Sequence, residues 1–201
     1  MATSGVFVVL EGGDGCGKST QAQLLVSRLR DLGREVVATR EPGATEAGAA
    51  IRSLVLGGGD LDARAEALLI AADRAEHVAE VIRPALERGA VVVSDRYIPS
   101  SLAYQGVARG LGVDEIARLS EWATGGLTPD LVVVVDVPVF DAERRRAGPR
   151  DRMEREPAEF RALVNQAYRD HASRFGWAVV DGTAPVEEVA EQIWELVRPL
   201  V

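Results

Sequence analysis

Residues 6–20 read VFVVLEGGDGCGKST, a β-branched run that passes straight into a glycine-rich turn. Within it, residues 12–19 fit G-x-x-x-x-G-K-[ST], with a strand pattern before and a helix pattern after, the context this motif requires. The spacing has a mechanical reason. Glycines let the backbone fold tightly, so that successive N–H groups point inward at phosphate oxygens. The helix that opens at Lys18 turns its positive N-terminal end to the same anion. On this reading Gly12, Gly13, Asp14, Gly15, Cys16, Gly17, Lys18, Ser19 and Thr20 form a nucleotide cradle. Lys18 reaches the β/γ-phosphates of a bound nucleotide and the Ser19 hydroxyl ligates Mg²⁺. Cys16 reads as a small loop filler, because no histidine is near it in sequence to activate a thiol.

Outward from this turn, short apolar runs alternate with amphipathic stretches. Residues 6–10, 35–39, 90–94, 131–135 and 177–180 read as strands, and runs such as VVVV suit strands covered on both faces. Residues 18–32, 62–88, 114–124, 157–174 and 185–197 read as helices, the second bent or divided at Pro84. This alternation predicts an α/β fold, a five-stranded parallel sheet flanked by helices in three layers. With 201 residues and no repeat, low-complexity tract or linker, the chain reads as one domain.

Composition narrows the partners. Acidic residues outnumber basic ones, 31 to 23, which argues against a surface that coats nucleic acid. A local arginine cluster can still bind a small anion against an acidic background. Cys16 is the only cysteine, so an intrachain disulfide is excluded. No apolar run reaches about 18 residues, the length of a membrane span, and the N-terminal stretch does not read as a signal peptide. A soluble cytoplasmic protein is the expectation.

A phosphate cradle leaves GTPase, ATPase and kinase all open, and the arginines bear on the choice. Asp95 and Arg96 close the strand at 90–94, where the tip of a parallel strand faces the ligand crevice. There Asp95 suits a Mg²⁺-bound water and Arg96 a bidentate grip on an acceptor phosphate, or the two are a surface ion pair. Arg40 and Glu41 close the second strand in the same way, and Pro42 makes a rigid turn open to a cis bond. Arg74 lies four residues after Ile70 on an apolar helical face, so it either snorkels or reads a ligand. Arg144, Arg145, Arg146, Arg150, Arg152 and Arg155 crowd around Gly148 and Pro149. That run is a solvated face or, beside a phosphate cradle, a flap at about 143–155 that closes over the transferring group.

Taken together, EGGDGCGKST, TREPG, ALLIAADRAEH and DRYIPSSLAYQG, in this order, resemble the thymidylate kinase family of nucleoside monophosphate kinases. The resemblance implies ATP-dependent phosphorylation of dTMP to dTDP for dTTP synthesis. It implies that Asp14 meets the acceptor sugar's 3′-hydroxyl, that Arg74 donates to thymine O4, and that Arg96 clamps the acceptor phosphate. Tyr104 is similar to the family aromatic under the sugar, Ser101 and Gln105 line the thymine pocket, and Arg40 with Glu41 stands near the phosphate and Mg²⁺. The implied metal set is Ser19, Asp95 and Glu41. Gly15 together with the arginine run resembles the bacterial type, in which lid arginines serve the γ-phosphate, here Arg144, Arg150 or Arg152. Ile70 departs from the family's phenylalanine and forgoes a stacking contribution of about 0.5–1.5 kcal/mol. A homodimer is implied, through the apolar faces of 62–82 and 114–124. The rival readings are a kinase for another monophosphate, such as dUMP, and a non-catalytic P-loop switch.

Overall fold

Side chains alternate between the two faces of a strand, so a run that is apolar throughout must be covered on both. The computed structural model describes residues 5–145 and 149–201 and bears this out. Val8 and Leu10 pack into one core, Phe7 and Val9 into another on the opposite face. The strands are β1 (Val6–Glu11), β2 (Val36–Arg40), β3 (Val91–Asp95), β4 (Leu131–Asp136) and β5 (Ala178–Asp181). All pair in parallel, in the order β2-β3-β1-β4-β5.

Helix α1 (Lys18–Asp31) follows β1. Between β2 and β3 lie α2 (Glu46–Gly57), α3 (Ala63–His77) and α4 (Arg83–Glu87). Next come α5 (Ile98–Ser101) and α6 (Val113–Thr124) before β4, then α7 (Val139–Arg145) and α8 (Ala158–Phe175) before β5, and α9 (Val186–Val197) last. Leu25 and Leu29 of α1 and Ile193 and Val197 of α9 cover the face holding Val8 and Leu10. Val78, Ile82 and Ala85 cover Phe7 and Val9, while Val164, Ala167 and Tyr168 of α8 cover Val134. The result is helices, sheet, helices.

This strand order creates the site. From β1 the chain leaves toward β2, whereas from β3 it leaves across β1 toward β4. Between two neighbours whose connections part in this way a crevice opens at their carboxyl ends. The register sets Leu10 beside Asp95 and Asp95 beside Arg40, so three strand tips deliver their loops at one level.

The predicted helix over 62–88 is three pieces. α3 passes through a wide π-helical segment, Val78–Ile82, in which Arg83 N–H bonds Val78 O, and on into α4. Pro84 falls in the first turn of α4, just where the wide segment ends. Helix α2 lay outside the sequence reading, although Thr45 signals it: its Oγ1 accepts from Gly48 N at 2.9 Å, capping the first turn. So did α5, the π-helical Leu102–Ala108 and α7. Arg146 and Gly148 of the arginine run lie outside the described residues. Among the described residues no helix is long and apolar enough to cross a membrane.

Ile82, the last residue of the π-helical segment, is fully buried against Phe7, Val9 and Val92 of the sheet. Ile82→Ala is expected to lower unfolding free energy by about 2–4 kcal/mol, read from urea denaturation, with the sheet topology retained.

Candidate active site

Only glycine fits at position 12. Its φ is +137°, and a Cβ there would stand 2.5 Å from Val135 O, so the loop's backbone rests directly on β4. Lys18 is buried at the start of α1, and its ammonium donates to Gly12 O (3.0 Å) and Gly13 O (2.8 Å), with Cys16 Sγ at 3.7 Å. Cys16 therefore packs inside the loop. Ser19 Oγ donates to Asp95 Oδ2 at 2.5 Å, joining the loop to the tip of β3. A hydroxyl and a carboxylate side by side are the hard oxygen donors that Mg²⁺ takes, its remaining ligands coming from phosphate and water. These two residues fit the ion. Among the described residues there is no group of three or more His, Cys, Asp or Glu suited to a metal. Glu41 is engaged elsewhere. Its buried carboxylate accepts from Arg74 Nε at 2.8 Å and from His77 Nδ1 at 2.9 Å.

Arg96 sits at φ +78°, an uncommon conformation for a residue with a side chain. Its N–H bonds Leu10 O and its carbonyl accepts from Ser94 Oγ, so β1 and β3 hold it there. The guanidinium reaches back over the loop, donating to Gly12 O (3.2 Å), Asp14 Oδ1 (2.5 Å), Ser100 Oγ (2.9 Å) and the hydroxyls of Tyr104 and Tyr168. Tyr104 OH in turn donates to Asp14 Oδ2 at 2.9 Å. Beneath them lies Glu11, fully buried, which accepts from Tyr97 N, Ser100 N, Ser100 Oγ and Tyr168 OH at 2.7–3.2 Å. Burial pushes its carboxyl up, although Arg96 and these donors pull the other way. Sequence reasoning missed Glu11; the available signal was an acid ending an otherwise apolar strand.

A cavity of about 300 Å³ opens above this layer. Arg40, Glu41, Ile70, Ser101, Tyr104 and Gln105 all line it, as expected. Arg74 lines it too, but from below the surface. Only 1% exposed, it is held by Glu41, by Ser101 Oγ (3.0 Å) and by Tyr97 O (2.9 Å). Arg52 of α2 was missed. It lines the same cavity, donates to Pro42 O at 2.8 Å, and is pushed below the usual arginine range by burial and by the charges of Arg40 and Arg96. Three mutually repelling guanidinium groups around one hollow make an anion site. The Glu41–Pro42 bond is cis. Asp73 secures this turn to α3, its Oδ1 accepting from Gly43 N at 2.8 Å.

A second cavity, of about 830 Å³, lies across the loop toward β5 and α9. Gly15, Lys18, Ser19 and Glu154 border both. The second is also lined by Arg145, whose Nη1 donates to Gly182 O at 2.7 Å. None of the three expected lid arginines bonds to the phosphate loop. Arg144 lies over the Phe140 ring (5.8 Å), Arg150 pairs with Glu143 (2.5 Å), and Arg152 is buried against Val55 O (2.7 Å) and Glu66 (2.6 Å).

With this geometry in place, the comparisons are specific. A family model described as thymidylate kinase matches residues 10–193. The chain is 55% identical to the thymidylate kinase of Leifsonia xyli subsp. xyli, over 94% of this chain and 92% of that relative. It is 51% identical to that of Clavibacter michiganensis subsp. michiganensis, over 98% and 97%. With the thymidylate kinase of Thermomicrobium roseum it shares 46% over 97% and 95%.

Asp73 yields a pH prediction. Burial, against the pull of the Gly43 bond and with the push of Glu41, raises its carboxyl to about 6, from an ordinary 3.8. The folded state thus holds the proton more tightly than the unfolded chain, so this group adds stability at low pH and the gain is lost as pH rises through about 6. In urea unfolding between pH 5 and pH 7.5, Asp73→Asn is expected to flatten this fall, by at most about 1.4 kcal/mol.

Proposed function

The chain belongs to the thymidylate kinase family, and on that premise we propose that it transfers the γ-phosphate of ATP to dTMP, giving dTDP and ADP for dTTP synthesis. One observation carries the reading: two cavities meet at Gly15, Lys18 and Ser19. A switch protein needs one nucleotide site, whereas a kinase needs two whose phosphates face each other across the cradle.

In this reading ATP lies in the larger cavity with its phosphates on residues 12–19, and Arg145 and Gly182 stand at its base-side wall. The dTMP phosphate enters the smaller cavity among Arg96, Arg52 and Arg40. Arg74 offers donors to a keto oxygen, which thymine has and the amino group of cytosine does not. Ser101 and Gln105 flank the base, Ile70 gives an apolar wall, and Asp14 with Tyr104 takes the sugar. Ser19 and Asp95 would hold Mg²⁺, which on binding offsets negative charge on the β- and γ-phosphates. Glu41 orients Arg74.

An acceptor phosphate oxygen attacks the γ-phosphorus in line, forming one P–O bond while the bond to the β,γ-bridging oxygen breaks. The acceptor is already anionic, so no general base is required. Catalysis is positioning and charge stabilisation by Lys18, Arg96 and the backbone amides. We place the lid in the arginine-rich ends at 143–145 and 149–155, closing on the donor phosphates through Arg144 or Arg150. We further assign the enzyme to the cytoplasm as a homodimer, with the described residues forming a single kinase domain.

Label from γ-labelled ATP should appear on dTMP, and turnover across dTMP, dUMP, AMP and GMP should be highest with dTMP. Preference for AMP or GMP would overturn the acceptor assignment. Arg96→Ala is expected to lower kcat/KM for dTMP by about a hundredfold to a thousandfold, with a smaller rise in the ATP KM because the same guanidinium also holds Gly12 O and Asp14 of the cradle. Arg52→Ala should raise the dTMP KM by about tenfold.

A further inference from the structure

Glu66 is a fully buried carboxylate that touches neither cavity directly, yet it joins three parts of the site. Its Oε1 accepts from Gln105 Nε2 at 2.8 Å and from Arg109 Nε at 3.3 Å. Its Oε2 accepts from Arg109 Nη2 at 3.0 Å and from Arg152 Nη2 at 2.6 Å. Arg109 continues to Glu156 at 2.5 Å, so the cluster balances two guanidinium groups against two carboxylates. Hydrogen bonds from Gln105, Arg109 and Arg152 keep the Glu66 carboxyl below the usual range against the effect of burial.

The partners come from separate elements. Gln105 belongs to the π-helical Leu102–Ala108 and lines the acceptor cavity. Arg152 comes from the arginine run and also reaches α2: its N–H bonds Leu56 O at 3.0 Å and its Nε bonds Val55 O at 2.7 Å. Val55, Leu56 and the adjoining Met153 all line the acceptor cavity. Arg152 and Glu66 thus tie two walls of that cavity, and one end of the lid, to α3.

We propose that Glu66 and Arg152 are positioning residues for acceptor recognition, with Arg152 the fixed anchor of the lid rather than a ligand of the transferring phosphate. An ionised carboxylate only accepts hydrogen bonds. Gln105 must therefore turn its amide nitrogen toward Glu66, which leaves its carbonyl oxygen to the cavity. Beside the donors of Arg74, a fixed acceptor there completes a pattern that a base with a keto oxygen and a ring N–H matches. A base with an amino group and an unprotonated ring nitrogen mismatches it twice. Glu66 thereby sets base selectivity from behind the wall.

The inference rests on dTMP as acceptor, and the wild-type enzyme tests that separately: without dTMP turnover in wild type, the function reading fails before any variant is made. Given wild-type turnover, Glu66→Gln is the informative change, since a neutral amide lets Gln105 present either group. Its dTMP KM should rise about tenfold, its ATP KM should stay within about twofold, and its preference for dTMP over dCMP should narrow. A general loss of structure would not change that ratio selectively. Arg152→Lys keeps the charge but lacks the fork that spans Val55 O and Glu66. It should reproduce the dTMP effect in part, with kcat at saturating substrates close to wild type, and calorimetric dTMP binding gives the same readout without turnover. If Arg152→Lys spares dTMP binding and instead lowers kcat or raises the ATP KM, Arg152 serves the phosphates and the anchor role is wrong. If Glu66→Gln leaves the dTMP-to-dCMP ratio at the wild-type value, its part in selectivity is wrong.

Discussion

The geometry depends on Arg96 holding the phosphate loop. One guanidinium, fixed at an unfavourable backbone angle, bonds the first glycine of the cradle and the aspartate inside it. Through that contact the loop after β1 and the loop after β3 become a single surface. Glu11 supports it from below, gathering the amides and hydroxyls of the β3 loop around a buried charge. A backbone strained by about 1–3 kcal/mol persists only where its surroundings over-determine it. Here two strands and a buried carboxylate do so.

The acceptor side follows the same logic at one remove. Arg74 is desolvated when the protein folds, and Glu41, Ser101 and Tyr97 O hold it in one rotamer. Entropy that a flexible arginine would lose on meeting its ligand is thus already lost during folding. Glu41 is central to this, since the same carboxylate also accepts from His77, whose Nε2 lies 2.6 Å from Thr39 Oγ1 on β2. The expectation that Glu41 helps bind metal took its place at a strand tip as the guide. Its partners on α3 were invisible to that reasoning, because they lie more than thirty residues away in sequence.

That contrast separates what sequence reading reached from what it missed. Strands, the main helices and the phosphate loop were legible because their signals are local: β-branched runs, amphipathic spacing, and a glycine spacing with one mechanical meaning. Arg96 and Asp95 were legible because parallel strands deliver their tips to one edge. Arg52 was not, since nothing nearby in sequence distinguishes an arginine that lines a cavity from one in solvent, and Arg145 was read only as one member of the arginine run. Arg152 shows the limit most plainly. Among neighbouring arginines it read as a phosphate ligand, but its partners are a carboxylate on α3 and two carbonyls of α2, a helix the periodicity had not revealed.

The shared wall between the two cavities has a further consequence. Gly15, Lys18, Ser19 and Glu154 border both hollows, so a single elongated anion with a nucleoside at each end could lie across them. Once its first end is seated, the second is confined near its own site at an effective concentration of order millimolar, provided the bridge matches the span. Such a molecule would be chelated by the fold. Proteins with only one of the two hollows would feel half of it, which makes the thin partition of the cradle a basis for discrimination between this enzyme and simpler nucleotide binders.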